Sequence, residues 1–469
     1  MKFKKAALSL LLTTAFVISA TGCSSKETAE TELDAETTAV EKEITTEEDL
    51  VAKEAEADEY YEAGRIALYG LDGTEINLTV AYENFVKAVE LGNVDANFYL
   101  GVLYDWYNYP EKNFEVAKSY YEKCENNPYA DISLGFLYWN GQGVEEDKEK
   151  AQEIFQTIID QGCADGYLGN AIIAKSEQNY DAAYECYNKV LEEGTEQLYV
   201  TTAMVDVGLL YYSGYGVEQD YAKSLEWLSK AADLGNADAM NKVGLLYGNG
   251  YGVEQDYTKA LEWHEKAANL GNVSAMGNVG YMYENGCGVE QDSAKALEWY
   301  EKAANLGNVT AMNSVGYMYM HGYGVEQDSA KALEWLSKAA DLGNANAMNN
   351  VGYMYEHGYG VEQDSAKALE WLSKAADLGN ADAMNNIGHM YENGYGVEPD
   401  YEKALEWYEK AADLGHVEAM AEIGWIYYNG LGVAKDYAKA VEWLNKAIEL
   451  GHHEGAINLR EIIREEQGY

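Results

Sequence analysis

Apolar residues between positions 311 and 344 form two helical stripes with a glycine-rich break between them. Residues 311–319 place apolar side chains three and four positions apart, which predicts an amphipathic helix, here called helix A. Residues 332–340 repeat this spacing and predict a second one, helix B. We expect Trp335 and Tyr319 to fill the space between packed helices, because an isolated hairpin of this kind cannot cover its own apolar side.

Short polar and glycine positions mark where these helices begin and end. Gly322 and Gly324 bracket the turn between them, since a positive φ costs little only for glycine. Asp328 is expected to cap helix B at its N-terminus, and Gly343 to follow its last turn. The small residue Gly316 on helix A predicts a close approach of the two helices.

The whole pattern recurs every 36 residues, and such a period is typical of a chain that stacks one supersecondary unit many times. Only 3 prolines occur in 469 residues, which favours helices. The sequence therefore predicts an all-α fold with seven regular repeats over residues 201–452. The tryptophans that mark the period are Trp227, Trp263, Trp299, Trp335, Trp371, Trp407 and Trp443.

A divergent form of the same pattern precedes the regular repeats. We interpret residues 57–200 as four further repeats, eleven in all, with a C-terminal capping helix in residues 453–469 that covers the last apolar face. Three sets of positions carry this interpretation: the glycines Gly64, Gly101, Gly135 and Gly169; the capping residues Asn77, Asn113, Asp147 and Asn179; and the packing residues Phe85, Tyr121, Phe155 and Tyr187.

The N-terminus predicts export. A lysine-containing leader and an apolar run end in Thr21-Gly22-Cys23-Ser24, which resembles a bacterial lipoprotein signal. Residues 1–22 are then the signal peptide, and Cys23 carries the lipid. Residues 23–56 are rich in Thr, Glu and Ala and predict a disordered acidic tether. We therefore expect a protein exported and lipid-anchored to the bacterial cell membrane, on the cell surface or in the periplasm, without a membrane-spanning helix.

The formal net charge of −47 excludes nucleic acid as a partner and favours basic partners or divalent cations. The alternative is that the charge serves only to keep the protein soluble. The remaining cysteines, Cys124, Cys163, Cys186 and Cys287, recur at no fixed spacing, so we expect no systematic disulfide framework.

The repeat resembles the Sel-one-like repeat (SLR), a 36-residue relative of the tetratricopeptide repeat. The resemblance implies a right-handed α-solenoid whose A helices line the concave side. It also implies a scaffold or adaptor for protein complexes. One cysteine-rich branch of the family is linked to β-lactam hydrolysis, but the paired cysteines of that branch are missing here. The matching residues are Val315-Gly316, Tyr319, Gly322, Gly324-Val325, Asp328, Lys331-Ala332, Trp335 and Lys338-Ala339-Ala340.

Ligand contacts are expected from helix A positions that the repeat pattern leaves variable. Equivalent residues on neighbouring packed helices lie roughly 8–10 Å apart, too far to share one metal ion. They suit an extended peptide, a docked helix or a polysaccharide. The alternative is that the aromatic side chains only pack between the A helices. The candidate residues are Asn313, Tyr317, Asn349, Tyr353, Glu356, Asn385, His389, Glu392 and Trp425.

No catalytic motif or metal-ligand spacing stands out in the sequence, so we expect no enzyme activity, no cofactor and no metal site. Our leading hypothesis is a monomeric protein-interaction scaffold on the bacterial envelope that binds a partner protein or peptide. A binder of cell-wall or surface glycan is the alternative. A hydrolase like the cysteine-rich relatives is a remote third.

Overall fold

The computed structural model describes residues 29–71, 74–107, 109–451 and 454–467, and in these residues the secondary structure is helical throughout. The chain divides into two compact units, with the boundary between Ile154 and Phe155. Consecutive helices pack as antiparallel hairpins within each unit. This architecture is an α-solenoid, as the sequence predicts, while its right-handed sense stays a prediction.

The first unit contains the divergent repeats that precede residue 155. Its helices are α1 (Ala29–Tyr69), α2 (Leu78–Leu91), α3 (Ala96–Asp105), α4 (Phe114–Tyr121) and α5 (Pro128–Asn140), and α6 (Lys148–Asp160) spans the boundary.

The second unit begins with one further divergent hairpin and continues with the regular repeats, in which A and B helices alternate. Its helices are α7 (Tyr167–Ser176), α8 (Tyr180–Glu193), α9 (Gln197–Ser213), α10 (Tyr221–Asp233), α11 (Ala237–Asn249), α12 (Tyr257–Asn269), α13 (Val273–Asn285), α14 (Ser293–Asn305), α15 (Val309–His321), α16 (Ser329–Asp341), α17 (Ala345–His357), α18 (Ser365–Asp377), α19 (Ala381–Asn393), α20 (Tyr401–Asp413), α21 (Val417–Asn429), α22 (Tyr437–Gly451) and α23 (Glu454–Gln467).

The predicted helix boundaries of the central repeat are confirmed. Helix A, α15, ends at Gly322, which has a φ of +72°, and Gly324 follows with +69°. Asp328 caps α16 because its Oδ1 accepts hydrogen bonds from the backbone N–H groups of Ala330 and Lys331. Gly343, just after α16, has a φ of +90°. These local signals therefore fix both ends of helix B.

The close contact predicted at Gly316 is also present. A Cβ atom at this glycine would lie 2.5 Å from Cγ of Leu336 on helix B. Tyr319 is buried beside it, whereas Trp335 is only partly buried at the edge of the core. The Nζ of Lys338 stands 4.6 Å from the centre of the Trp335 ring. The tryptophan thus packs on the core with one face and on a lysine with the other.

A second glycine contact joins each repeat to the one before it. A Cβ at Gly324 would lie 2.4 Å from the backbone C and O atoms of Ser293, the first residue of α14. Gly252 approaches Tyr221 in the same way. The loop after each helix A therefore rests on the start of the preceding helix B, and this seam tolerates no side chain.

The divergent repeats keep the capping pattern and vary the packing. The side chains of Asn77, Asn113, Asp147 and Asn179 all accept a backbone N–H at the start of a helix, as predicted. Gly64 and Gly101 lie against Phe85 and Tyr121. Gly169 differs, because the nearest ring to it is that of Phe155, on the preceding helix. A longer spacing to Gly208 accompanies this change.

The structure differs from the sequence-based prediction over the acidic segment before residue 57. Residues 29–56 form the N-terminal part of the 41-residue helix α1, although we predicted disorder. Abundant Ala and Glu without proline favour a helix even where few apolar residues are available for packing. Cys23 and the signal peptide lie outside the described residues, so lipidation and the tether role stay predictions.

Three further observations concern the part of the chain that the structure describes. No helix among the described residues has the length and apolarity needed to cross a bilayer. Cys124, Cys163, Cys186 and Cys287 are present as free thiols. The capping helix predicted in residues 453–469 corresponds to α23, which packs against α22 and α21.

Candidate binding surface on the A helices

The residue after the helix A glycine forms a row of partly exposed side chains, one in each repeat. Tyr281 is 57% exposed, Tyr317 38%, Tyr353 36% and Trp425 38%. We use the name A-helix face for the surface formed by this row and by the residues three or four positions away from it on the same helices. Packing between helices leaves more than a third of each of these side chains accessible, so an apolar surface is available along the repeats.

The asparagines predicted for this face join neighbouring A helices. Nδ2 of Asn350 donates to Oδ1 of Asn313 at 3.2 Å, and Nδ2 of Asn386 donates to Oδ1 of Asn349 at 2.9 Å. The equivalent bond in an earlier repeat runs from Asn278 to Asn241 at 2.9 Å. Asn313 and Asn349 thus have a structural role that sequence reasoning missed, because the bond depends on the register of two helices.

Asn385 does not lie on the accessible surface. Its side chain is 8% exposed, and its Oδ1 has no hydrogen-bond partner among the described residues. In the two preceding repeats the equivalent oxygens, Oδ1 of Asn313 and Oδ1 of Asn349, accept a hydrogen bond from the asparagine 37 positions later in the chain. Glu422 takes that place here, and an ionised carboxylate has no proton to donate.

Two buried tyrosines on helix B contact residues of the A-helix face, and these contacts were not predicted. The Tyr408 ring covers Gly388, where a Cβ would lie 2.5 Å from the ring, and its hydroxyl donates to Oε2 of Glu392 at 2.7 Å. Tyr300 and Glu284 form the same pair at the same distance in an earlier repeat. Most other repeats have leucine at this helix B position, so a tyrosine there is the sequence signal that could have revealed the tyrosine–glutamate pair.

Around His389 the surface carries an acidic cluster. Hydrogen bonding with Glu392 and the charges of Glu422 and Glu356 raise the pKa of His389 against the opposing effect of burial. Burial tends to raise the pKa of Glu392, but hydrogen bonds from His389 and Tyr408 outweigh it and lower that pKa. Burial raises the pKa of Glu356. The predicted residues Glu356, His389 and Glu392 therefore belong to one electrostatically connected group.

Two histidines extend the aromatic row. His321 and His357 are the last residues of their helices, and each ring lies between two tyrosine rings. The His357 ring centre is 4.1 Å from Tyr353 and 5.5 Å from Tyr359, with the latter pair stacked. Tyr317, His321 and Tyr323 form the same arrangement. Two successive repeats thus present equivalent groups of three rings, each with one stacked pair and one tilted ring.

The last repeat contains a pocket of about 330 Å³ where the closing helix α23 meets α21 and α22. Its wall combines two carboxylates, one indole and small or apolar side chains. The lining residues are Glu392, Ala421, Glu422, Trp425, Leu444, Gly455, Ala456 and Leu459.

Positive charge in the regular repeats is concentrated on the B helices. Each repeat has one lysine over a tryptophan ring and one over a tyrosine ring, as Lys338 over Trp335 and Lys331 over Tyr319. In the A helices α9 to α21, Lys242 is the one lysine or arginine. No cluster of three metal-ligating side chains occurs in the part of the chain that the structure describes.

The family model described as Sel1 repeat matches most of the folded part of this chain. It matches residues 60–93, 94–123, 128–163, 201–236, 237–272, 273–308, 309–344, 345–380, 381–416 and 417–452. The chain belongs to the Sel1 repeat family. This confirms the resemblance seen in the sequence. The ten matched repeats include all seven regular ones and three of the four divergent ones. The fourth, which contains α7 and α8, lies outside the matched segments and stays a prediction.

The fold is also that of a solved structure with clear sequence similarity. A protective antigen of uropathogenic Escherichia coli, c5321, displays an SLR fold and is 32% identical, covering 89% of this chain and 90% of its own, with a TM-score of 0.62. A Sel1 repeat protein from Oxalobacter formigenes is 31% identical and covers 52% of this chain and 96% of its own, with a TM-score of 0.49. Sel1 repeat proteins generally mediate protein–protein interaction and are generally non-catalytic.

Proposed function

We propose that this Sel1 repeat protein is a non-enzymatic scaffold on the bacterial cell envelope that binds a partner protein or peptide along its A-helix face. The observation that carries the proposal is the row of partly exposed rings in the last five regular repeats, one in each: Tyr281, Tyr317, Tyr353, His389 and Trp425. Tyrosine and tryptophan provide large contact areas with little loss of conformational entropy. An extended segment of a partner would contact successive rings as it follows the repeats.

The charge distribution indicates what kind of partner this face accepts. Glu284, Glu356 and Glu392 lie on A helices that carry almost no positive charge, while the lysines stand over rings on the B helices. Electrostatic complementarity therefore favours a segment rich in lysine or arginine. The interaction should weaken as salt is added, because exposed charges are screened.

Display on the envelope is supported by the lipoprotein-like sequence around Cys23. The similar E. coli protein is a protective antigen, which agrees with a surface position. Metabolic labelling with a palmitate analogue should mark the wild-type chain in a bacterial host and leave Cys23→Ala unlabelled. Equal labelling of the two chains, or recovery of both in the soluble fraction, would contradict lipid anchoring.

The binding role is tested with two variants of the full chain that lose equal numbers of exposed apolar side chains in the same three repeats. The first replaces Tyr281, Tyr317 and Tyr353 by serine. The second, a matched control, replaces Leu306, Leu342 and Leu378 by serine; these leucines, just after the B helices, are 57–60% exposed.

Both variants are compared with wild type by crosslinking on intact cells followed by mass spectrometry of the captured proteins. We expect the tyrosine variant to lose a captured protein at least tenfold while the leucine variant retains it, with similar melting temperatures for both. If the tyrosine variant melts much lower and captures the same proteins when folded, the rings serve packing only.

A glycan ligand is the second candidate, favoured by the three-ring groups Tyr317–His321–Tyr323 and Tyr353–His357–Tyr359. Flat rings that repeat along a surface suit the faces of successive sugar rings. Binding of the purified protein to a glycan array, lost in the tyrosine variant and retained in the leucine variant, would favour this candidate over a protein partner.

A further inference from the structure

We propose that the pocket in the last repeat receives one cationic side chain, an arginine or lysine, from the partner protein. This inference rests on the proposed scaffold function and names the chemistry of one contact. The pocket lies at the C-terminal end of the A-helix face, where Trp425 ends the row of rings.

The pocket exists because a repeated side chain is truncated. At 36-residue intervals the A helices place a methionine against the core, and these methionines are Met240, Met276, Met312, Met348, Met384 and Met420. The next position in phase is Ala456 on the closing helix, and Ile457, which follows it, is not among the residues that line the pocket. Gly455 likewise replaces the alanine that precedes each methionine. Loss of the methionine side chain leaves space that the wall residues do not fill.

The lining of this space combines apolar walls with two acidic groups. Leu459 contributes partly exposed aliphatic surface, Leu444 is fully buried within the wall, and Trp425 contributes an indole that is 38% exposed. Glu392 is held in place by the Tyr408 hydroxyl at 2.7 Å, and its lowered pKa keeps it ionised at neutral pH. None of the described residues that line the pocket is basic.

An arginine or lysine side chain matches this lining in each part. Its methylene stem suits the leucines, while its charged group suits Glu392 and the face of Trp425. An apolar side chain would remove water from the carboxylate without replacing its interactions, which is unfavourable. A metal ion is a poorer match, since no set of three ligating side chains gathers among the described residues.

The test uses the purified full chain and a single amino acid derivative, N-acetyl-arginine methylamide, with the neutral N-acetyl-citrulline methylamide as its control. Binding is followed by ligand-observed saturation-transfer NMR in about 0.3 M salt, which screens attraction to the general negative charge. We expect the arginine derivative to bind at least tenfold more tightly than the citrulline derivative, because only the former is charged.

Two protein variants locate the site. Glu392→Gln should weaken binding of the arginine derivative at least tenfold, whereas Glu284→Gln, which alters the same tyrosine–glutamate pair in a repeat that lacks the pocket, should leave it unchanged. Ala456→Met should restore the methionine of the other repeats, fill the space and abolish binding without lowering the melting temperature.

The proposal would be overturned if Glu392→Gln and Glu284→Gln bound the arginine derivative equally well. Equal affinity of the wild-type protein for the arginine and citrulline derivatives would also overturn it. A destabilised Ala456→Met variant that still binds would do so as well. Because the probe is a single residue, failure of the crosslinking experiment together with specific arginine binding would refute the scaffold function alone and leave the pocket intact.

Discussion

The contact between Gly316 and Leu336 gives a quantitative test of how the repeat is held together. A Cβ added at Gly316 would meet Leu336 Cγ at 2.5 Å and Cδ2 at 2.9 Å, both closer than van der Waals contact. Such overpacking costs about 1–3 kcal/mol. Replacing a helical glycine by alanine returns about 1 kcal/mol. Gly316→Ala should therefore destabilise the local structure by about 0–2 kcal/mol.

The steric origin of this cost can be isolated with a second substitution. Leu336 is fully buried, so Leu336→Ala should cost about 2–5 kcal/mol. In that background the clashing leucine atoms are absent and only the backbone O of Ala332, 3.1 Å away, stays in tight contact, so Gly316→Ala should become stabilising by up to about 1 kcal/mol. The double-mutant cycle should accordingly show a coupling of about 1–3 kcal/mol. Gly277→Ala is the matched control, since its Cβ would lie 3.6 Å from its nearest neighbour, and it should stabilise.

Native-state hydrogen exchange is the suitable assay, because a repeat array can open in parts rather than all at once. Protection of amides in α15 and α16 gives the local free energy of opening in the four proteins of the cycle. If Gly316→Ala destabilises these helices equally whether residue 336 is leucine or alanine, the contact does not control the approach of the helices. If Gly277→Ala destabilises its own helix, the expected gain in helix propensity on replacing glycine by alanine is refuted.

Three further predictions follow from single contacts. Burial lowers the pKa of His264 to about 4, so between about pH 6.5 and pH 4 this histidine binds a proton in the unfolded chain but stays neutral in the folded one. Urea unfolding should therefore show that the free energy of unfolding of wild type falls by about 2–3 kcal/mol relative to that of His264→Leu as the pH falls from 7 to 4. Gly252→Ala should lower the melting temperature more than Gly271→Ala, since both glycines have a positive φ but only Gly252 lies against a neighbouring backbone. Asp328→Ala should cost about 1 kcal/mol in hydrogen exchange of α16, because two backbone N–H groups lose their acceptor.

The features that could be predicted from sequence are those fixed within one hairpin. Asp328 and Gly322 act on backbone groups a few residues away, so their roles follow from local chemistry. The link between Asn313 and Asn350 depends on how two A helices are aligned, and the pair Tyr408–Glu392 depends on how B meets A. Sequence periodicity places such residues on the same face but gives no distance between them.

The pocket could be predicted only in part, because the missing methionine is visible in the sequence whereas the open space that results is not. The absence of methionine at position 456 can be read from the 36-residue alignment. Whether neighbouring side chains would close the space depends on Leu444 and Leu459, whose positions come only from the structure. The helix in residues 29–56 shows the opposite limit, since composition alone did not separate a helix from a disordered segment.

The near-identity of the central repeats has a consequence for how a partner would be positioned. Tyr317 and Tyr353 present the same surroundings 36 residues apart, so an extended segment could shift by one repeat and find equivalent contacts. Identical sites add affinity through multivalency but define no register. The last two regular repeats break the equivalence with His389, Trp425 and the acidic pocket, none of which recurs. We infer that the central repeats supply contact area, while this end selects the partner and fixes its alignment, because a unique charged pocket penalises every shifted arrangement.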